Sequence, residues 1–427
     1  MLLSVASGVR QNTQAGGNSR FLQWLTQAES VVDRAPMQPS MPDMPDSRNW
    51  FTPPPEVRRR RFNSGVRHGM HIAMQGRDLL NFAGNDYLGL SVHPAVTAAA
   101  RQALEKSGTG SGASRLVSGD DPLMHVLECG LAEWKGFEAC LLAGSGMLAN
   151  LGLLQALAGR HTALFCDKLN HASLVDGARL SGGRVKRYAH LDTGQLQLML
   201  QDTGEARRII VSDGVFSMDG DCADISGLIG LAERHDALLL LDDAHGFGVL
   251  GECGRGLSSS AGVAGHARLI EVGTCGKALG SYGAFILGTH EVIEGLRQSL
   301  RTMTYSTALP PAVIAASLAA LNVIRQGDVV HALHANIELF RGLAAQQDLQ
   351  LMPSITPIQP LLLGAESVAL DASAALKCAG FFVPAIRPPT VPEGTSRLRI
   401  TLSAAHGAGD IEALVDALCD MQRGIPE

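Results

Sequence analysis

The chain has 427 residues, 46% of them hydrophobic and 48 of them glycine, which is enough length and apolar content for a large buried core and two or three domains. Thirty-five basic against 41 acidic residues leave a net charge of -6, so there is no basic field to bind nucleic acid. Eight cysteines lack any C-x-x-C pair or Cys/His cluster at zinc spacing, so no disulfide framework and no metal are expected, and the compartment implied is the reducing cytoplasm.

Residues 1 to about 57 show no sustained periodicity and include a Met/Pro/Asp-rich segment (PMQPSMPDMPDS) before Pro53 to Pro55, which predicts a poorly ordered extension. No secretory signal is expected at Met1 to Val9. The run Arg58 to Arg61 is either a solvated basic patch or an anion contact at the mouth of a site. An N-terminal segment, 58–95, then carries DLLNFAGNDYLGL from Asp78 to Leu90, read as a short strand followed by a turn-rich piece with Asn85 and Asp86.

A large domain is expected over 96–325. Helical spacing covers Pro94 to Leu104. The glycine-rich stretch Gly108 to Gly119 matches a dinucleotide fingerprint at Gly108, Gly110 and Ala113, but it follows a helix rather than a strand and reads better as a loop packed at an interface. Strands are predicted at Ala139 to Leu142, Ala163 to Cys166, Arg184 to Tyr188, Ile209 to Val211, Leu238 to Leu241, Leu269 to Val272 and Ala284 to Leu287. With amphipathic segments between them, they predict an α/β fold built on a mostly parallel, seven-stranded sheet covered on both faces. Two uncharged windows, Ala139 to Gly159 and Thr302 to Ile324, are broken by glycines or by Pro310 and Pro311 and predict buried helices rather than membrane spans. Helices are predicted from Pro311 to Arg325 and from Val329 to Ala345. Over 326–427, strands at Pro360 to Leu363 and Arg397 to Leu402 and a closing helix, Asp410 to Met421, predict a small α+β domain.

Sites in such sheets lie beyond the carboxyl ends of the strands. That edge gathers Gly144 to Met147, Asp167 to His171, Asp213 to Ser217, Asp242 to His245 and Thr274 to Lys277. Lys277, in TCGKALGSYG, is the candidate reactive amine; Glu271 and Ala278 stand where a phosphate loop requires glycine and Ser or Thr. A lysine that forms an imine with an aldehyde cofactor must be able to lose its charge, and a pyridine nitrogen needs a carboxylate partner. Asp242 is the candidate carboxylate, with a helix-capping role before Ala244 as the alternative. His245 could reach a phenolic oxygen, Gly146 and Met147 open a helix able to receive a phosphate, and Thr274 and Ser217 supply hydroxyls.

The segments LNFAGNDYLGL, GSGASRLVSGD, DKLNHASLVDGARLSG, SDGVFSMDGD, LLLLDDAHGFGVLGECGRG and GTCGKALGSYGAF resemble the α-oxoamine synthases, pyridoxal-phosphate enzymes of the aspartate-aminotransferase fold, also called fold type I. The resemblance spans roughly Arg58 to the C-terminus. It implies that Lys277 binds the cofactor aldehyde, Asp242 pairs with its ring nitrogen, His171 stacks on the ring and approaches the substrate, and His245 meets the phenolic oxygen with Ser217 close by. Gly146, Met147 and Thr274 would hold groups around the phosphate. Thr307, in TYSTALPP, would reach the phosphate of the neighbouring subunit of a homodimer with shared sites. Arg59, Asn85, Thr390 and Arg399 match positions near the amino-acid or acyl substrate. The closing stretch AIRPPTVPEGTSRLRITLSAAH resembles the branch that condenses L-alanine with a pimeloyl thioester, carried on coenzyme A or on a carrier protein. Alternatives are branches that join glycine to acetyl or succinyl thioesters, or a catalytically silent binding module of the same fold.

Overall fold

The structure, a computed structural model, describes residues 63–423, so the predicted extension, the arginine run and Arg59 lie outside the described residues. The described residues fall into two units: a small one, 63–66 with 73–77, and a large one, 67–72 with 78–423. The described part of the small unit supplies the first residue of β1 (Val66–His68), the last two of β2 (His71–Met74) and the first of β3 (Arg77–Asn81).

In the large unit all seven predicted strands are present, as β4 (Ala139–Ala143), β5 (Thr162–Asp167), β6 (Arg184–Tyr188), β7 (Arg207–Asp213), β8 (Ala237–Asp242), β9 (Leu269–Thr274) and β10 (Ala284–Gly288). They form one sheet in the order β4-β10-β9-β8-β7-β5-β6, in which only β10 runs antiparallel to its neighbours. Residues of alternate parity face opposite ways along a strand. Leu141, Leu164, Ile209, Val211, Leu240, Ile270 and Ile286 pack on one face with Leu153 of helix Gly146–Leu157 and Leu174 of helix Ala172–Leu180. Leu142, Phe165, Ile210, Leu239, Leu241 and Phe285 pack on the other with Leu131 of helix Pro122–Lys135 and Leu228 of helix Ile225–Arg234. Both faces are covered, which is why these strands read as unbroken apolar runs.

The first uncharged window is β4 followed by helix Gly146–Leu157; the second contains helix Pro311–Ile324, whose Ile314, Ala320, Leu321 and Ile324 are buried. Among the described residues no single helix is long and apolar enough to cross a membrane. The glycine-rich stretch after helix Pro94–Ser107 ends in a π-helical turn, Arg115–Gly119, and is tied to the segment before helix Pro311–Ile324. The ties are Ser111 Oγ donating to the Leu309 carbonyl at 2.6 Å and Ala308 N–H donating to the Ala113 carbonyl at 2.9 Å.

The C-terminal region contains β11 (Ile358–Gly364), β12 (Phe381–Phe382), β13 (Ala385–Ile386) and β14 (Ser396–Thr401). β11, β14 and β13 form an antiparallel sheet that packs on helix Glu366–Cys378, which in turn packs on helix Ala408–Arg423, and β12 pairs in parallel with Leu80 and Asn81 of β3. β14 is buried along its whole length, Arg397 and Arg399 included.

Candidate active site

Strand parity places the two acids at the heart of the site. Asp213 ends β7 and Asp242 ends β8; the two are register partners, and both face the side covered by helix Gly146–Leu157. Asp242 is buried, and its Oδ2 accepts a 2.6 Å hydrogen bond from the Asn150 side-chain amide while its Oδ1 accepts one of 3.0 Å from Ala244 N–H. The capping alternative for Asp242 is thereby half realised: it caps a turn, since no helix begins at Ala244. Asn150 also donates to Ser173 Oγ at 2.9 Å, and Ser173 Oγ lies 2.7 Å from His171 Nδ1, which also accepts Ser173 N–H at 3.2 Å. His171 therefore carries its proton on Nε2 and caps helix Ala172–Leu180. Its backbone N–H donates to Asp213 Oδ2 at 2.6 Å.

Burial, followed by the neighbouring Asp242 charge, pushes the Asp213 carboxyl well above the usual carboxylate range. Lys277 has a partly open surface, yet its amine is withdrawn from water, and that desolvation lowers its pKa to about 8 against the pull of Asp242 and Asp213. The result is the amine that imine chemistry requires, able to lose its proton near neutral pH. Burial also lowers His171, and burial with Lys277 and Arg399 nearby keeps His245 neutral. Thr274, at the end of β9, uses its hydroxyl to donate to the Gly283 carbonyl at 3.0 Å and to accept Gly276 N–H at 3.1 Å, which fixes the loop carrying Lys277.

Ser145 caps helix Gly146–Leu157 by accepting Leu148 N–H at 3.2 Å, leaving the first-turn amides of Gly146 and Met147 to an anion. A Cβ added at Gly146 would meet nothing within 4 Å, so space for a group is open there. Arg399 gives Nε to the Ser217 carbonyl at 2.6 Å, Nη1 to Thr401 Oγ1 at 3.0 Å and Nη2 to Asn85 Oδ1 at 3.2 Å. Asn85, Ser217 and Arg399 are thus one group. Thr390 is exposed and shares a cavity of about 140 Å³ with Ser217, Phe216 and Leu169. Thr307 is exposed and lines a small cleft with Gly144 and Arg115.

Five residues have roles that the sequence reading does not anticipate: Asn150, Ser173, Tyr87 and the pair His190 with Asp221. Asn150 had a signal, being one of only two polar residues in helix Gly146–Leu157, where its amide serves Asp242. Tyr87 is wholly buried with its hydroxyl 2.5 Å from His245 Nδ1. His190 bridges Asp167 at 3.0 Å and Asp221 at 2.8 Å and sets its ring edge-on to Phe216 at 4.4 Å between centroids, gripping the turn that carries Ser217.

These residues fit pyridoxal phosphate: a desolvated amine, a carboxylate fixed from two sides, a neutral imidazole and an open helix N-terminus. Fold and site together define the class, the pyridoxal-phosphate-dependent transferases of fold type I. The sequence profile of the aminotransferase class I and II family matches residues 77–418. The chain is 47% identical over 366 residues to 8-amino-7-oxononanoate synthase of Saccharophagus degradans, covering 85% of this chain and 91% of that protein. It is 49% identical over 348 residues to the synthase of Alkalilimnicola ehrlichii, covering 81% and 89%. Among solved structures, serine palmitoyltransferase of Sphingomonas wittichii superposes with a TM-score of 0.82 at 27% identity over 96% of this chain and all of that one. The 8-amino-7-oxononanoate synthase of Francisella tularensis gives 0.70 at 29% identity over 81% and 98%. The chain belongs to the aminotransferase class I and II family, in the branch of the 8-amino-7-oxononanoate synthases.

Proposed function

We propose that this chain joins L-alanine to a pimeloyl thioester with loss of carbon dioxide, giving 8-amino-7-oxononanoate for biotin biosynthesis. The carbon count fits the relatives' name: a three-carbon amino acid and a seven-carbon acyl group, less one carbon, leave nine. What carries the reading is the joint placement of Lys277, Asp242 and Arg399 in a chain 47% identical to such a synthase over 85% of its length. Pyridoxal phosphate, when bound, supplies an aldehyde to capture an amine and a ring that takes up the electron pair released at the α-carbon.

In this reading Asp242, fixed by Asn150 and Ala244 N–H, holds the ring nitrogen, and His171 lies over the ring. His245 meets the phenolic oxygen, while Gly146, Met147 and Thr274, with Thr307 of a neighbouring subunit, hold the phosphate end. Arg399 takes the amino-acid carboxylate with its planar fork, beside Asn85 and Thr390, and so aims the α-hydrogen at Lys277. Lys277 Nζ, neutral above about pH 8, moves that proton. A homodimer in the cytoplasm completes this reading.

The superposition on serine palmitoyltransferase favours a second reading, in which serine and a long acyl thioester are joined. The identity of 47% with the alanine-using branch against 27% there argues for the first. The test offers alanine, glycine and serine against acetyl, succinyl, pimeloyl and palmitoyl thioesters and identifies the amino ketone by mass. Alanine with pimeloyl is expected to dominate, with glycine reacting slowly, since one methyl group gives only about 1–3 kcal/mol of discrimination. Preference for serine or glycine would overturn the assignment while leaving fold and cofactor intact.

A further inference from the structure

His245 makes a single hydrogen bond among the described residues, and it is to Tyr87. The phenol oxygen of Tyr87 lies 2.5 Å from His245 Nδ1 and 3.3 Å from Asn85 Oδ1, and Asn85 Oδ1 accepts Arg399 Nη2 at 3.2 Å. Both Tyr87 and His245 are buried, at 0% and 7% exposure, so the arrangement of protons between them is not averaged by water. From this geometry we infer that Tyr87 is a positioning residue, which fixes the tautomer of His245 and makes its Nε2–H the donor to the cofactor's phenolic oxygen.

The phenol has one proton and two acceptors within reach. An O–H donor prefers about 2.7–2.8 Å, so the 3.3 Å approach to Asn85 is a weak bond and the 2.5 Å approach to His245 a strong one. Asn85 Oδ1 is moreover already engaged by the charged guanidinium of Arg399. The proton therefore lies toward Nδ1, which must be the unprotonated nitrogen of the neutral ring, and Nε2 carries the hydrogen. Two electrostatic facts agree. Burial raises the Tyr87 phenol to about 12, so it keeps its proton, and burial with Lys277 nearby holds His245 neutral, so a second ring proton does not compete. The same hydroxyl touches the Asn85 amide that braces Arg399, so one phenol joins the cofactor side of the site to the substrate side.

The inference rests on the functional reading for what Nε2 faces, but its readout does not require turnover. The experiment is ¹⁵N NMR of the holoenzyme labelled at histidine, with the His245 signals assigned by their loss in His245→Gln and compared in Tyr87→Phe, together with the absorption maximum of the bound cofactor. The expected result in the parent enzyme is a protonated Nε2 and a hydrogen-bonded, unprotonated Nδ1, unchanged across neutral pH. In Tyr87→Phe the Nδ1 signal should move to its unbonded position, the absorption maximum should shift, and kcat should fall about tenfold, the equivalent of one ordinary hydrogen bond, while the melting temperature stays near that of the parent. A proton on Nδ1 in the parent enzyme overturns the inference. So does a folded Tyr87→Phe enzyme with unmoved Nδ1 signal and absorption. An enzyme found to use another amino acid leaves each of these readouts in place, so the two failures are separable.

Discussion

The side-chain amide of Asn150 and the carboxylate of Asp242, 92 positions apart in the chain, meet at 2.6 Å in a fully buried setting. Breaking that contact leaves a buried carboxylate oxygen short of its donor, a loss of about 1.5–3 kcal/mol for a hydrogen bond to a charged group. Asn150→Ala is therefore expected to lower stability by that amount and to weaken cofactor retention. Asn150→Asp should be worse, because it sets a second carboxyl against the first. Chemical denaturation and equilibrium dialysis of the cofactor check both, and an Asp variant as stable as the Ala variant would contradict the role given to the amide.

Lys277 gives a prediction with a definite sign. Its folded-state pKa is lowered from 10.5 to about 8, so between those values the unfolded chain binds more protons than the folded one, and stability rises with pH. In cofactor-free protein, Lys277→Met should be the more stable form near pH 7, by up to about 3 kcal/mol at 1.36 kcal/mol per pH unit. The advantage should shrink as pH climbs from about 8 and vanish above 10.5. Turnover in Lys277→Ala should fall by about 10²- to 10⁴-fold or more, since a positioned base is lost. Urea titrations at several pH values and steady-state assays provide the check; an advantage independent of pH would refute the buried-amine reading.

His190 runs the other way. Burial opposes its charge, but the hydrogen bonds that its ring N–H groups donate to Asp167 and Asp221 prevail and raise it to about 10. Its contribution is fully present below the unfolded value of 6.5 and fades as pH rises through about 10. His190→Gln should thus destabilise the protein most at near-neutral and mildly acidic pH and least under alkaline conditions. It should also raise KM for the amino acid, because the turn from Phe216 to Asp221 supplies the Ser217 carbonyl that seats Arg399. Denaturation at three pH values tests the first part, and a KM unchanged in a destabilised variant would refute the second.

Much of this architecture is legible in the chain because burial on both faces turns each sheet strand into an apolar run, and the rule about strand carboxyl ends then points to Asp213, Asp242 and Lys277. What is not legible is pairing across distance. Tyr87 and His245 are 158 residues apart, Asn85 and Arg399 are 314 apart, and neither member of either pair has a local pattern that announces the other. Short elements fail for a different reason. β12 and β13 have two residues each, too few for a period, and the π-helical turn Arg115–Gly119 is held by Arg115 bridging Asp120 at 2.6 Å and Glu128 at 2.5 Å, a tertiary anchor rather than a propensity.

Arg399 spends its guanidinium on three partners in fixed directions. A lysine keeps the charge but loses the fork, so Arg399→Lys should raise KM for the amino acid by roughly 10- to 100-fold, the equivalent of about 1.5–3 kcal/mol, with a smaller effect on the acyl thioester. Varying one substrate at a time separates the two. An equal rise in both KM values would show general disruption rather than loss of a carboxylate seat.

Thr307 is exposed, in a segment pinned by Ala308 N–H to the Ala113 carbonyl, so a neighbouring chain can reach it. If that hydroxyl serves the phosphate of a neighbouring subunit, Thr307→Ala should weaken cofactor binding by roughly tenfold or more, as loss of a hydrogen bond to a charged group does. Mixing it with Lys277→Ala subunits then has a calculable outcome. In a mixed dimer the site built on the intact Lys277 receives the intact Thr307 of the other chain, and the second site lacks both, so one full site per pair is restored. A hydroxyl acting within its own chain would leave every site in the mixture defective. Cofactor titration and activity after co-refolding the two variants distinguish these cases, and an active monomer in sedimentation would end the shared-site arrangement.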